Sequence, residues 1–159
     1  MLDDTDTRWL RHSFALARQA RDRGDHPFGA VLVGAAGNLL AEGANQVVNG
    51  RDFSVHAEIA VLPTAWRQGG EAALAGACLY SSCEPCAMCA GGIHWSGLTR
   101  VVYGMAADSL YPLMGPAGQL ASLAVGCRQV LGQSGRPIEV SGPHLTEEAE
   151  QVHLGYWTQ

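Results

Sequence analysis

Charge is scarce in this chain: 16% of its 159 residues are acidic or basic, and the basic ones are scattered. Ten basic residues against fifteen acidic ones leave a formal net charge of -5, so there is no phosphate-binding stripe of the kind a large nucleic-acid substrate requires. No apolar run is long enough to cross a bilayer, and no terminal stretch has the charged start, apolar centre and cleavage site of a secretory signal. A cytoplasmic protein with no membrane partner is expected. The five cysteines are odd in number, which suits a reducing compartment better than a disulfide framework. Nucleotide cofactors have no motif to support them, since neither G-x-G-x-x-G after a strand nor G-x-x-x-x-G-K-[ST] occurs. Internal repeats and low-complexity tails are also missing. What is left is 47% hydrophobic, enough for a substantial core, and the length predicts one domain over residues 1–159.

The apolar pattern predicts an alternation of helices and strands. Thr7 to Arg23 reads as a helix with Leu10, Phe14, Ala17 and Arg21 along one side, capped by Asp6 or Thr7 and ended by Gly24. An apolar run to Val33, a turn over Gly34 to Asn38 and a return over Leu39 to Gly43 read as a hairpin. A second helix is expected over Val55 to Arg67 with a kink or break at Pro63. A strand over Ala77 to Ser81 then delivers Pro85 to a third helix reaching Trp95, and Thr99 to Tyr103 forms the next strand. Pro112, Gly115, Pro116 and Gly118 mark a loop bordering the pocket. Gln119 to Leu131 is expected to be helical, Pro137 to Val140 a short strand, and Leu145 to Trp157 a closing helix. This order predicts an α/β fold of three layers around a mixed sheet.

Two short pieces carry the chemistry. His56-Ala57-Glu58 and Pro85-Cys86-Ala87-Met88-Cys89 together supply an imidazole, two thiols and a carboxylate. Zinc takes nitrogen and sulphur ligands in a tetrahedral shell, and a catalytic site keeps one place open. His56, Cys86 and Cys89 would fill three places. Cys86 and Cys89 are three apart and share a helical face, with Pro85 suited to the first helical position and Ser81 or Ser82 to the cap. His56 and Glu58 are two apart, which puts His56 in the entering turn of its helix and Glu58 just inside. A glutamate near the ion but outside its shell suits a proton carrier. H-x-E followed by P-C-x-x-C is the arrangement of zinc-dependent base deaminases. A redox or structural C-x-x-C is the competing reading, and Cys78, Cys83 and Cys127 supply no second closely spaced pair for a structural zinc knot. Cys83 is expected beside the metal as a neighbour. In the polar stretch from Ala44 to Ser54, Asn45 is the preferred reader of a planar heterocycle, because its amide donates and accepts at once; a turn-forming role is the alternative. His26 reads equally well as a surface residue.

With these residues in view, the chain resembles the cytidine deaminase-like superfamily, in its purine and tRNA-adenosine branch. The resemblance rests on Pro27-Phe28-Gly29-Ala30, Ala41-Glu42-Gly43-Ala44-Asn45, His56-Ala57-Glu58, the run from Ser82 to Gly91, and Arg100-Val101-Val102-Tyr103-Gly104. It implies a five-stranded mixed sheet between helical layers, a zinc ion, and a homodimer. The Ser82-Cys83-Glu84-Pro85 run and Trp95 look most like bacterial guanine deaminases, which implies guanine as substrate, giving xanthine and ammonia. It further implies that Asn45 bonds the base, that Phe28 and Trp95 contribute to the ring-binding wall with Ala57 nearby, and that Tyr156 and Trp157 cover the pocket, in the same subunit or across a dimer; a helix end docked on the core accounts for these two aromatics equally well. Gly92 departs from the usual alanine, and the loop from Ala106 to Gln119 lacks an aspartate-rich pattern. The competing functions are tRNA adenosine-to-inosine deamination, deamination of cytosine or of an aminotriazine such as ammeline, and a non-catalytic zinc scaffold. The acidic balance argues against the tRNA, and Glu58 against the scaffold.

Overall fold

All five residues of the first strand, Gly29–Val33, are buried, and the rest of the chain is wrapped around it. A computed structural model describes residues 2–158. In chain order the elements are α1 (Asp4–Asp22), β1 (Gly29–Val33), β2 (Leu39–Ala44), α2 (Val47–Gly50), α3 (Ala57–Ala73), β3 (Cys78–Cys83) and α4 (Ala87–Ser96). They are followed by β4 (Arg100–Met105), α5 (Ala107–Leu113), α6 (Gly115–Ala121), α7 (Cys127–Leu131), β5 (Glu139–Ser141) and α8 (Thr146–Gln151). The sheet order is β2-β1-β3-β4-β5, and the sheet is mixed: β1 runs antiparallel to β2 and β3, while β3, β4 and β5 are parallel. The expected five-stranded mixed sheet in three layers is therefore present.

Side-chain alternation along the strands builds one core on each face. Ala30, Leu32, Leu79, Val101 and Tyr103 pack with Val61, Leu62, Ala90 and Ile93 of α3 and α4. Val31, Val33, Tyr80 and Val102 pack on the other side with Leu10, Phe14 and Ala17 of α1 and with Ala149 of α8. Burying each large apolar side chain contributes ~1.5–3 kcal/mol. The close fit of α1 is set by small residues beneath it: a Cβ at Gly104 would lie 2.6 Å from the Ser82 carbonyl and 2.6 Å from the Phe14 ring.

Several expected boundaries move. Asp3 caps α1, its carboxylate accepting the Asp6 N–H at 2.6 Å. Asp6 is instead buried, pairing with Arg100 through Nη1–Oδ1 at 2.8 Å and Nη2–Oδ2 at 2.9 Å, and accepting the Tyr80 hydroxyl at 2.8 Å. Helix α3 passes through Pro63 and departs from helical dihedrals only at Gly69 and Gly70, where φ is 60° at Gly70, a value glycine adopts without penalty. The expected loop after Gly104 holds α5 and α6, with Pro112 inside α5 and Pro116 in the first turn of α6. The expected helix over Gln119 to Leu131 is reduced to the end of α6 and to α7, and the closing helix stops at Gln151, with turns beyond it. Pro85 precedes the cap of α4 because Cys86 itself is the N-cap. Ser81 and Ser82 stay in β3, where Ser82 accepts the Gly29 N–H at 3.0 Å. Among the described residues, no helix is long and apolar enough to cross a membrane.

Candidate metal centre and active site

Two helix starts meet at one corner of the sheet. His56 is the N-cap of α3 and Cys86 the N-cap of α4, both in extended conformation, and neither spends its side chain on capping. Cys89 follows in the first turn of α4, which leaves β3 at its carboxyl end. In a sheet of this kind, that end is where ligands bind. The His56 Nδ1 lies 3.6 Å from Cys86 Sγ and 3.5 Å from Cys89 Sγ, and the two sulphurs are 3.7 Å apart. Zinc bonds of ~2.3 Å to sulphur and ~2.0–2.1 Å to nitrogen set tetrahedral edges of ~3.8 Å between sulphurs and ~3.6 Å between sulphur and nitrogen. The three atoms thus already stand at the corners of a zinc-sized tetrahedral face.

The electrostatics agree. The Cys89 and His56 hydrogen bonds lower the Cys86 pKa to about 4, so one thiolate is ready at neutral pH. The same contact with Cys86 raises His56 and, together with burial, pushes the Cys89 thiol far up. Glu58 lies just outside this triangle. It is buried, Ser81 Oγ donates to its Oε1 at 3.0 Å, and Oε2 is 3.5 Å from Cys89 Sγ. Burial, above all, raises its pKa.

A cavity of about 370 Å³ opens onto this corner, and His26, Phe28, Asn45, His56, Glu58, Cys86 and Trp157 are among its lining residues. The Asn45 Oδ1 accepts the Val47 N–H at 3.0 Å, which sets the direction of the amide. Phe28 and Trp157 contribute rings to the wall from the same subunit. Three expected contacts are not brought here. Trp95 is 79% exposed, beside Pro63 and Trp66 on the outer face. Nine residues after Cys86, it has turned ~180° around the helix axis. Ala57 is fully buried in the core under α3, and Tyr156 stands edge-on to Trp157 at 4.8 Å, lining an outer groove with Arg21 and Asp22.

The cavity also uses residues that motif reading passed over. Leu110, Tyr111 and Met114 come from α5 and the turn after it, a stretch whose prolines and glycines hid its helices. His26 lines the cavity, and burial lowers its pKa, with a further push from His56. Cys83 is in the wall and outside the ligand group, as expected. Glu84, two residues before Cys86, joins the wall to its supports: Oε2 accepts the Ala107 N–H at 3.1 Å and Oε1 the Cys127 N–H at 2.9 Å. Its place in the Ser82-Cys83-Glu84-Pro85 run, beside a ligand pair, was a signal for it, but gave it no role.

Comparison with known proteins gives three substrates for one framework. The chain is 38% identical over 158 residues to a probable cytosine deaminase of Schizosaccharomyces pombe, covering 98% of this chain and 94% of that one. It is 39% identical over 98 residues to a tRNA-specific adenosine deaminase of Agrobacterium fabrum, covering 62% of this chain and 64% of the relative. The guanine deaminase of Nitrosomonas europaea superposes with a TM-score of 0.78 at 25% identity, covering 100% of this chain and 87% of that one. The cytidine and deoxycytidylate deaminase zinc-binding region matches residues 3–105, which takes in every side chain of the metal corner. The chain therefore belongs to the cytidine and deoxycytidylate deaminase family, hydrolytic enzymes that work with a bound zinc ion.

Proposed function

We propose that this chain, acting as one deaminase domain over residues 1–159, hydrolyses the amino group from a free heterocyclic base, with guanine going to xanthine and ammonia. The observation that carries the reading is the oriented amide of Asn45 in a cavity that ends at Glu58 and the His56, Cys86 and Cys89 corner. With Oδ1 held by Val47, Nδ2 is the group Asn45 has to offer, a donor suited to a ring carbonyl. Guanine and cytosine have such a carbonyl; adenine does not.

His56, Cys86 and Cys89 would hold zinc, which when bound supplies Lewis acidity and lowers the pKa of a water from ~16 towards ~7. Glu58 is placed to accept and hold the proton of the attacking water at Oε2, since Ser81 occupies Oε1. It delivers the proton to a ring nitrogen, then takes the second proton of the water from the new C2 hydroxyl and passes it to the departing amine. The C2–N bond of guanine breaks and a C2–O bond forms, so water and guanine account for xanthine and ammonia. Phe28 and Trp157 orient the flat ring, and Asn45 sets which edge faces the corner.

Cytosine is the second reading, favoured by likeness to the S. pombe protein along nearly the full chain. A tRNA substrate is disfavoured by the net charge of -5, and a scaffold role by a buried proton carrier that scaffolding does not need. The reading includes a cytoplasmic location and a homodimer, for which the exposed Trp66 and Trp95 offer apolar surface. Ammonia release from guanine, cytosine, ammeline and a tRNA anticodon stem-loop tests the substrate. Guanine is expected to turn over fastest, with Asn45→Ala lowering kcat/KM by roughly 10- to 100-fold. Turnover of the stem-loop alone would overturn the reading.

A further inference from the structure

The wall of the cavity away from the metal corner is held by a residue that does not line it. Phe28 and Trp157 have ring centroids 6.1 Å apart, and His153 lies against both: 5.3 Å from Phe28, and 6.1 Å from Trp157 with the planes only 9° apart. The Trp157 Nε1–H donates to His153 Nδ1 at 3.3 Å. That bond assigns the tautomer: Nδ1 accepts, so the ring proton lies on Nε2. His153 is 1% exposed, and its Nε2 has no hydrogen-bond partner among the described residues.

A buried N–H without a partner destabilises the fold, and a phenylalanine of similar shape would fill the space without it. What the histidine adds over such a ring is an acceptor at Nδ1. The backbone beyond α8 has left the helical ladder, running through turns in which Tyr156 N–H reaches the His153 carbonyl at 3.1 Å. Besides His153, among the described residues of the turn only the edge of Tyr156 meets the Trp157 ring, and it offers the indole N–H no acceptor. The stacked, hydrogen-bonded imidazole does.

We propose that His153 is a positioning residue for the deamination site: it holds the Trp157 indole in the wall on which the heterocycle lies, and acts through that ring without touching the base itself. This rests on the deaminase reading above for its kinetic consequence, but not for the placement of Trp157. The discriminating variants are His153→Phe, Trp157→Phe and the double substitution, each checked for zinc content. With the best base of the panel, either single change is expected to raise KM about tenfold and leave kcat within about twofold, and the double variant to match Trp157→Phe alone. Independent additive effects, or a loss of kcat with KM unchanged, would overturn the proposal. A second arm needs no turnover: in protein labelled with 5-fluorotryptophan, Trp157 is assigned through Trp157→Phe. His153→Phe should broaden or double its fluorine line while those of Trp9, Trp66 and Trp95 stay put. An unaltered Trp157 line would sink the idea. Should His153→Phe fail to fold, His153→Leu, smaller and equally unable to accept the bond, carries the same reading. A parent protein inactive on every base would count against the proposed reaction, and the fluorine arm would then decide the placement by itself.

Discussion

The Ser81 hydroxyl donates to the buried Glu58 carboxylate at 3.0 Å, so a residue inside the central strand β3 orients the carboxylate presented by α3. The contact ties the start of α3, which carries His56, to the strand that leads into α4 and its two cysteines. Glu58→Gln keeps the shape and the zinc but has no proton to exchange; turnover should fall by about 10²–10⁴-fold at unchanged metal stoichiometry. Ser81→Ala should lower kcat by roughly tenfold, the equivalent of one lost hydrogen bond of ~1.4 kcal/mol, with KM little altered. Parent-like rates in Glu58→Gln would assign Glu58 the wrong role.

Removal of the metal should act on activity and stability together. Because His56, Cys86 and Cys89 bridge the starts of α3 and α4, chelation is expected to abolish ammonia release and lower Tm, with zinc restoring both. Cys86→Ser and Cys89→Ser should each reduce bound zinc, measured by elemental analysis. Full metal content in either variant would exclude that sulphur as a ligand.

Glu84 spends both carboxylate oxygens on the first amides of α5 and α7. A glutamine there has one acceptor oxygen in place of two, leaving an amide partnerless at a cost of ~1–3 kcal/mol. Glu84→Gln should lower the urea midpoint and raise KM through the α5 wall, while zinc content stays at the parent value. Normal KM with normal stability would remove Glu84 from the support of the cavity.

Acid sensitivity should also change with His153. Burial first, and then the Arg21 charge, lower its pKa from 6.5 to about 4. Between these values the unfolded chain binds a proton that the folded one refuses, so folding stability falls as pH drops from 6.5 towards 4. His153→Phe deletes that penalty. Denaturant melts at pH 7 and pH 4.5 should show the parent losing more stability than the variant, by on the order of 1–2 kcal/mol. Equal losses would mean that His153 does not stay neutral.

Buried Asp6 makes the opposite contribution. The Arg100 guanidinium holds its carboxyl below the ordinary value of 3.8, so the stabilisation is present above that pH and is lost as pH falls through the lower folded-state value. Asp6→Asn should cost ~1–3 kcal/mol at neutral pH, the gap to the parent closing in strong acid; a constant gap would refute the pairing.

Local chemistry made part of the site readable in advance. A zinc ligand pair needs a three-residue spacing on one turn, and a proton carrier needs to stand near a ligand, so Cys86 with Cys89 and His56 with Glu58 declare themselves in short windows. The unbroken apolar run to Val33 and the one from Val101 to Tyr103 announced buried strands in the same way. Trp95 misled because a motif position says nothing about which side of α4 faces the cavity. The stretch that carries Leu110, Tyr111 and Met114 does border the cavity as expected, but as helices, which its prolines and glycines disguised.

The amino-acid sequence by itself determined the two short motifs that hold the candidate ligands and the proposed proton carrier, and the order of elements that makes a three-layer α/β fold, since each motif and each element is written in residues within a short window of one another. Tertiary structure alone decided the rest: that Ser81 meets Glu58, that Glu84 ties down two later helices, and that His153 backs the cavity wall. These contacts join residues 4 to 43 positions apart, and even the nearest pair lies in a turn with no helical register. Their geometry is set by how the sheet and helices pack, which no short window of sequence encodes.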